Sequence, residues 1–289
     1  MVSGDDWQDW YESWRLTLEA RGRRPKTVDF YERELARFGA HVDTPPLQVT
    51  RPMVRDWIRS LLAEGRAPNT INNRLIVVKS FYSWLVAEGE LSASPAAGVS
   101  SPPHRGPDPD VMPDDEFARL LAVTTGREPL DRRNRAILLV LDSSGCRASE
   151  LVSMTDKGTD LRGRRLDVEG KGGAWRAVPI SAQAAEAVDR YRRVRRQLNG
   201  TPARLWWGRR GDLTVKGLAH VLHGLGEQAG VAAHAHRFRH RFAHRWLDAG
   251  GSEAGLQTAA GWSSVVMPRK YGRALSVERM LDEHRRVMG

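Results

Sequence analysis

Between Ser100 and Pro113 the chain reads SSPPHRGPDPDVMP, and this stretch sets the first limit on any fold it can adopt. Pro102, Pro103, Pro107, Pro109 and Pro113 each fix φ and remove a backbone donor, so neither a helix interior nor a central strand can run through them. The glycine and charged residues among them offer little to pack. The 289-residue chain is therefore expected to divide into a unit over residues 1–99, a linker over 100–113 and a second unit over 114–289. With 40% hydrophobic residues, each unit can fill a core of its own.

Before the linker the apolar pattern is helical throughout. Phe30, Tyr31, Leu35 and Phe38 share one stripe, Val54, Trp57, Ile58 and Leu61 a second, and Ile71, Leu75, Val78, Tyr82 and Leu85 a third. Four or five helices around one core are expected, the third stripe starting at Asn69-Thr70 and stopping at Glu88-Gly89. Opposite that stripe stand Arg66, Asn69, Thr70, Asn73 and Arg74. Their amide, hydroxyl and guanidinium groups suit base edges and phosphates in a major groove, although an ordinary solvated face would carry similar residues. Residues 1–6 are acidic and lead into Trp7 and Trp10, which is no signal peptide. The longest apolar run, Ala136 to Leu141, is too short to span a membrane, and a cytoplasmic location is expected.

After the linker, Asp114, Asp115 and Glu116 suit a helix N-terminus, and Ala136 to Leu141 reads as a helix buried all round. Ser143-Ser144-Gly145 forces a turn, and a further helix begins near Glu150, Leu151 and Met154 with Arg147 at its leading edge, where its charge and free backbone amides favour an anion. A surface arginine paired with Glu150 is the plainer reading. Arg165 to Val168 and Trp175 to Ile180 alternate as two strands around a glycine-rich turn that carries Lys171 near its tip. Val188, Tyr191 and Val194, then Leu218, Val221, Leu222 and Leu225, mark two more helices.

The chemistry gathers near the C-terminus, in His236-Arg237-Phe238-Arg239-His240, Gly261-Trp262 and Tyr271. A phenol with a pKa of about 10 is a poor nucleophile at neutral pH, and converging cations such as Arg147, Lys171 and Arg239 stabilise both the phenolate and a pentacoordinate phosphorane. His236 and Arg239 lie one helical turn apart and can face one phosphate. The formal charge of +10 also points to a polyanion, of which DNA is the commonest. His236, His240 and His244 could in principle hold zinc, but Phe238, Phe242 and Trp246 already form that helix's core stripe, and a structural role for His240 or His244 is expected. Cys146, the single cysteine, reads as a buried space-filler.

These segments resemble the tyrosine recombinase family, the phage integrases and their chromosomal Xer relatives. Gly145-Cys146-Arg147-Ala148-Ser149-Glu150-Leu151 is similar to the family's TGLRxSEL box, and Gly170-Lys171-Gly172 with Arg176-Ala177-Val178-Pro179-Ile180 to its GKGxKxRxVPL hairpin. His236 to His240 matches HxLRH, Gly261-Trp262-Ser263-Ser264 stands where GHSS is usual, and Tyr271 follows at the customary interval. Residues 5–97 resemble the core-binding domain, including Arg24-Pro25-Lys26-Thr27 entering a first helix and Phe81-Tyr82-Ser83-Trp84-Leu85 closing a later one. The resemblance implies a mainly α protein with a small β-sheet, in which a helical, SAM-like core-binding domain precedes a catalytic domain.

It further implies that Tyr271 attacks the scissile phosphate to give a 3′-phosphotyrosyl bond and a 5′-hydroxyl. Arg147 and Arg239 would hold the non-bridging oxygens, and Lys171 would protonate the leaving oxygen. His236 would assist proton transfer at the phenol, Trp262 would fix the phosphate, and Glu150 would orient Arg147. Arg24, Lys26, Arg66, Asn69, Thr70, Asn73 and Arg74 would contact DNA. Trp262 replaces the usual histidine and keeps an indole N–H donor. Met267-Pro268 replaces the usual Thr-Thr, with the proline starting the helix that presents Tyr271.

No cofactor or metal is implied, because the phosphotyrosine conserves the bond energy and cations replace a metal. Neither a GxxxxGK(S/T) loop nor a two-metal carboxylate cluster is present in the sequence. The partners implied are double-stranded DNA attachment sites, a homotetramer passing through a Holliday junction, and a recombination directionality factor, in a bacterial host's nucleoid. A phage or prophage integrase is the leading expectation, with Xer-type resolvase and mobile-element recombinase as alternatives. A DNA-binding regulator or a type IB topoisomerase is a more distant one. Because the core-binding pattern starts within the first ten residues, no arm-binding domain and a short core site are expected. Val277, Met280, Leu281, Val287 and Met288 form an apolar stripe over Ala274 to Met288, expected to dock on a neighbouring protomer.

Overall fold

The computed structural model describes residues 7–101, 103, 110–170, 175–195, 204–208, 210–262, 264, 271, 280, 281, 284, 285, 287 and 288. The chain forms two compact units, Met1–Pro107 and Asp108–Gly289.

The first unit contains helices α1 (Trp7–Ala20), α2 (Pro25–Val42), α3 (Arg51–Ala63) and α4 (Pro68–Ala87), with a 3-10 turn at Pro46–Gln48 between α2 and α3. Proline stands in the first turn of α2, α3 and α4, where its missing N–H has no helical acceptor to lose. Helix α4 therefore starts at Pro68, one residue before the expected Asn69-Thr70, and closes at Glu88 with Gly89 at φ +83°. The three apolar stripes converge on Trp14, Leu35, Phe38, Ile71, Phe81 and Tyr82, all essentially inaccessible. Their rings interlock: Trp14 stacks on Tyr31 at 5.4 Å and Phe38 meets Trp57 edge-on at 4.9 Å. The buried Tyr82 hydroxyl donates to the Pro46 carbonyl at 3.1 Å and fixes the 3-10 turn.

Among the residues expected at DNA, Arg24, Lys26, Arg66, Asn69, Thr70 and Asn73 are exposed. Arg74 is not on that face. Its position is three residues after Ile71 and four before Val78, so it falls on the edge of the buried stripe. There its guanidinium pairs with the buried Glu34 carboxylate of α2 at 3.0 Å, beside a second pairing from Arg37.

The second unit is built around α6 (Pro129–Ser144), whose residues 136 to 141 are all buried, as the unbroken apolar run implies. Preceding it is α5 (Asp114–Ala122), and α7 (Ala148–Ser153) follows. A three-stranded antiparallel sheet comes next, β1 (Thr159–Asp160), β2 (Arg165–Glu169) and β3 (Trp175–Pro179), in that order. Two strands are legible in the sequence; the two-residue β1 is too short to carry a period. Helices α8 (Ala182–Arg195), α9 (Val215–Ala229), α10 (Ala235–Asp248) and α11 (Glu253–Ala260) complete the unit.

One face of α10 is anchored by arginines spaced four residues apart. Arg237 pairs with Asp110 and Glu116. Arg241 pairs with Asp142 at 2.7 Å and Asp114 at 2.6 Å, and Arg245 reaches Asp142 at 2.6 Å. The acidic start of α5 thus does more than complement its helix dipole, since it holds α10. Helix α6 ends on Gly145 in the left-handed region at φ +57°, where an added Cβ would lie 2.4 Å from the Phe242 ring of α10. No helix among the described residues is long and apolar enough to cross a membrane.

Replacing Arg74 by alanine is expected to destabilise the first unit by about 1–3 kcal/mol, because it strips a buried carboxylate of a partner. Asn73→Ala should stay within about 0.5 kcal/mol. Urea unfolding followed by tryptophan fluorescence separates the two; an Arg74→Ala variant as stable as wild type would remove the anchoring role.

Candidate active site

Arg147 is the N-cap of α7, placed there by the Gly145 turn that ends α6. The expectation of an anion at this helix start is met from within the chain. Glu150, three residues on, receives the Arg147 backbone N–H at 2.8 Å and its side-chain Nη1 at 2.7 Å. Arg147 therefore both pairs with Glu150 and stays half exposed, with Nη2 donating to the Gly261 carbonyl at 2.9 Å.

Glu150 is almost fully buried and takes a third donor, Arg176 Nη2 of β3, at 2.9 Å. Burial pushes its carboxyl upward, but the Arg147 amide, the Arg176 charge and the Arg147 side chain together outweigh that and leave it below the ordinary glutamate value. Arg176 also donates to the Ala259 carbonyl at 2.7 Å. Arg239 of α10 is buried, giving Nη1 to the Gly145 carbonyl at 2.8 Å and Nη2 to the Ala260 carbonyl at 2.7 Å. Burial, with repulsion from Arg147 and Arg176, brings Arg239 down to about 10, so it stays cationic at neutral pH.

Three guanidiniums are thus gathered by the carbonyls of Ala259, Ala260 and Gly261, the C-terminal end of α11. Such an end carries partial negative charge on carbonyls that lack helical donors. Gly261 is left-handed at φ +63°, and a Cβ there would lie 2.7 Å from Arg176 Nε. Glycine is required on both counts.

Trp262 follows directly. Its ring lies under the Arg239 guanidinium, 4.8 Å from the centroid, and stacks on Tyr271 at 5.6 Å and 13°. Tyr271 is 2% exposed, and burial pushes its phenol up to about 12, with Arg239 opposing. The phenol oxygen is in short contact with His240 Nδ1. It donates to that nitrogen when the nitrogen carries no proton.

The histidine in contact with the phenol is therefore His240, for which the sequence suggests a structural role, and not His236. His236 lies one turn away with its ring edge-on to His240 at 4.2 Å, and it is exposed. The physical reason is position along the helix rather than phase: 236 and 240 share one face of α10, but His240 lies a turn deeper, level with Tyr271, while His236 stands at the exposed first turn. Cys146 is buried, and burial pushes its thiol up to about 11, which fits a space-filler. Lys171 and Met267-Pro268 lie outside the described residues. Arg176 was not singled out from the sequence, although it stands in the hairpin motif. Its buried ion pair to Glu150 spans 26 positions and leaves no periodic trace.

This arrangement presents two cations, Arg147 and Arg239, beside an uncharged phenol whose hydroxyl proton has an acceptor in place. It suits attack by an oxygen nucleophile on an anionic phosphorus centre.

Known proteins share both the sequence pattern and the fold of this chain. The phage integrase family matches residues 110–277, and the phage integrase N-terminal SAM-like domain matches residues 12–89. Tyrosine recombinase XerC of Vibrio parahaemolyticus is 31% identical over 250 residues, covering 83% of this chain and 80% of that protein. Among solved structures, the Tn1549 transposon integrase in complex with transposon right end DNA superposes with a TM-score of 0.76 at 17% identity, over 97% of this chain and 99% of that one. A lambda integrase tetramer bound to a Holliday junction gives 0.72 at 17% identity, over 93% and 78%.

Burial of the phenol has a direct readout. In a spectrophotometric phenolate titration, the difference between wild type and Tyr271→Phe should rise near pH 12 rather than near pH 10. A difference centred at pH 10 or below would show Tyr271 to be solvated in the free protein.

Proposed function

The chain belongs to the phage integrase family of tyrosine recombinases, and on that premise we propose that it recombines two specific DNA sites with Tyr271 as nucleophile. The observation that carries the reading is the juxtaposition of Arg147, Arg239 and Trp262 with the Tyr271 phenol. The phenol oxygen attacks phosphorus and its proton passes to His240. Arg147 and Arg239 take the non-bridging oxygens in place of the Gly261 and Ala260 carbonyls. The 5′-oxygen leaves, protonated by Lys171, and the 3′-phosphotyrosyl ester keeps the bond energy for rejoining without ATP. Trp262 orients the phosphate through its indole N–H, and His236 supports the ring of His240.

Of the family's branches, an Xer-type resolvase is favoured by the likeness to XerC across most of both chains. A phage integrase or mobile-element recombinase is the second reading, supported by the family match and the fold. Arg24, Lys26, Arg66, Asn69, Thr70 and Asn73 form the exposed polar set for DNA in the first unit. Assembly as a tetramer on DNA draws support from the tail, where Met280, Leu281, Val287 and Met288 are exposed apolar side chains that a neighbouring protomer would cover. A directionality factor and a cytoplasmic, nucleoid-associated location complete the proposal.

Trapping tests the nucleophile without knowledge of the site. Wild-type protein incubated with nicked fragments of its source genome should yield a denaturation-resistant adduct, recoverable and sequenceable, and Tyr271→Phe should yield none. Arg147→Ala and Arg239→Ala should form it about 10²–10³ times more slowly, the usual cost of one transition-state donor. Undiminished adduct from Tyr271→Phe would overturn the mechanism. Truncation before Ser276 should leave half-site binding but abolish the tetrameric complex in analytical ultracentrifugation; intact tetramers would assign the tail to its own domain.

A further inference from the structure

Arg176 is the one cation of the cluster with no place in the reaction as proposed above, and its surroundings are more enclosed than those of Arg147. Its side chain bridges three segments that are far apart in sequence. Nη2 donates to Glu150 of α7, Nη1 donates to the Ala259 carbonyl of α11 at 2.7 Å, and the guanidinium starts from β3. Against Gly261 it packs so closely that a single Cβ would displace it. Arg147 and Arg239 use carbonyls of the same helix end, at Gly261 and Ala260. Those two can exchange a carbonyl for a phosphate oxygen, whereas Arg176 is the less exposed partner of a buried carboxylate and cannot leave without halving that carboxylate's guanidinium pairing.

We propose that Arg176 is a positioning residue for strand cleavage: it keeps Glu150 ionised and locked to the end of α11, so that Arg147 is presented to the phosphate in one orientation. The inference rests on the reading of Arg147 as a phosphate-holding residue. Its logic is charge balance. Glu150 is oriented by two guanidiniums, one committed to structure and one offered to substrate, and with Arg176 gone the carboxylate has only Arg147 to neutralise it. Arg147 is then drawn back into a purely internal pair, and Glu150 takes up a proton more readily. The ionisable groups around Glu150 are Cys146 and Arg147 beside it in sequence, Arg176 on β3 and Arg239 on α10. Cys146 is held as a neutral thiol by burial, so the two groups that can change the balance are Arg147 and Arg176.

The sign follows from these contacts. Arg176 favours the charged form of Glu150, so its loss raises the carboxyl's pKa. The Arg147 backbone amide donates to Glu150, and its nitrogen-15 shift therefore reports the titration in the full chain without DNA. With Arg176→Gln the midpoint of that titration should move to higher pH, and with Arg176→Lys, which keeps a charge, it should stay near wild type. On the duplex recovered by covalent trapping, Arg176→Gln should slow single-turnover adduct formation about 10–100-fold with half-site affinity within about threefold. The acid side of its rate–pH profile should move upward, and Arg176→Lys should recover part of the rate. In a Glu150→Gln background, Arg176→Gln should add little further loss, since the carboxylate it serves is absent.

An unmoved titration midpoint in Arg176→Gln overturns the proposal whether or not DNA is cleaved. So does a rate loss that Arg176→Lys does not relieve and that tracks a fall in thermal stability alone, because that pattern belongs to a packing role. The underlying reading fails separately, through an Arg147→Ala variant that cleaves at the wild-type rate.

Discussion

Three guanidiniums in one pocket repel each other, and the site exists because the last turn of α11 absorbs that repulsion. Ala259, Ala260 and Gly261 each give a carbonyl to a different arginine, and among the described residues of the site Glu150 supplies the full negative charge. Every other feature of the site is arranged around this helix end. Gly261 terminates it, Trp262 leaves it to lie between Arg239 and Tyr271, and the Gly145 turn brings Arg147 and a second carbonyl to meet it. In the proposed reaction, a phosphate's non-bridging oxygens would replace carbonyl acceptors that the free protein already holds. Cation placement is settled before the substrate arrives, which is what electrostatic catalysis requires.

The proposed nucleophile is kept in the opposite condition. Tyr271 is buried, stacked on Trp262 and raised to about 12, so in the free protein it is an uncharged phenol with its proton directed to His240. Cations stand ready while the anion that would attack is withheld. The two halves of the proposed site are set by different physics, the cations by helix-end carbonyls and the phenol by desolvation.

Much of this was legible in the sequence because local patterns encode it. The apolar run from Ala136 to Leu141 specified a buried helix, and the Gly145 turn specified where Arg147 would start the next one. The motif residues identified Arg147, Arg239, Trp262 and Tyr271, which the fold brings together. What could not be read were the pairings between distant segments. Arg74 looked like part of a polar face until Glu34 claimed it, and Arg176 looked like a strand residue until Glu150 and Ala259 did. His236 and His240 are both motif positions on one face of α10, and only the level at which Tyr271 meets that face decides which one contacts the phenol. Side-chain partners separated by dozens of residues leave no period in a sequence, whereas helices and strands do.

Helix α10 carries its working side chains on one face and its anchoring arginines on the other, and the anchors differ in their access to solvent. Asp142 is 10% exposed, but Asp114 and Asp110 are 89% and 71% exposed. Mobile ions screen the exposed pairs over about 8 Å at physiological ionic strength and scarcely reach the enclosed one. Added salt is therefore expected to weaken the outer contacts, Arg237 with Asp110 and Arg241 with Asp114, more than the inner ones, Arg237 with Glu116 and Arg241 with Asp142. Since Arg239 and His240 sit between those points, ionic strength would reach the proposed site through its scaffold as well as through competition of ions for DNA phosphates.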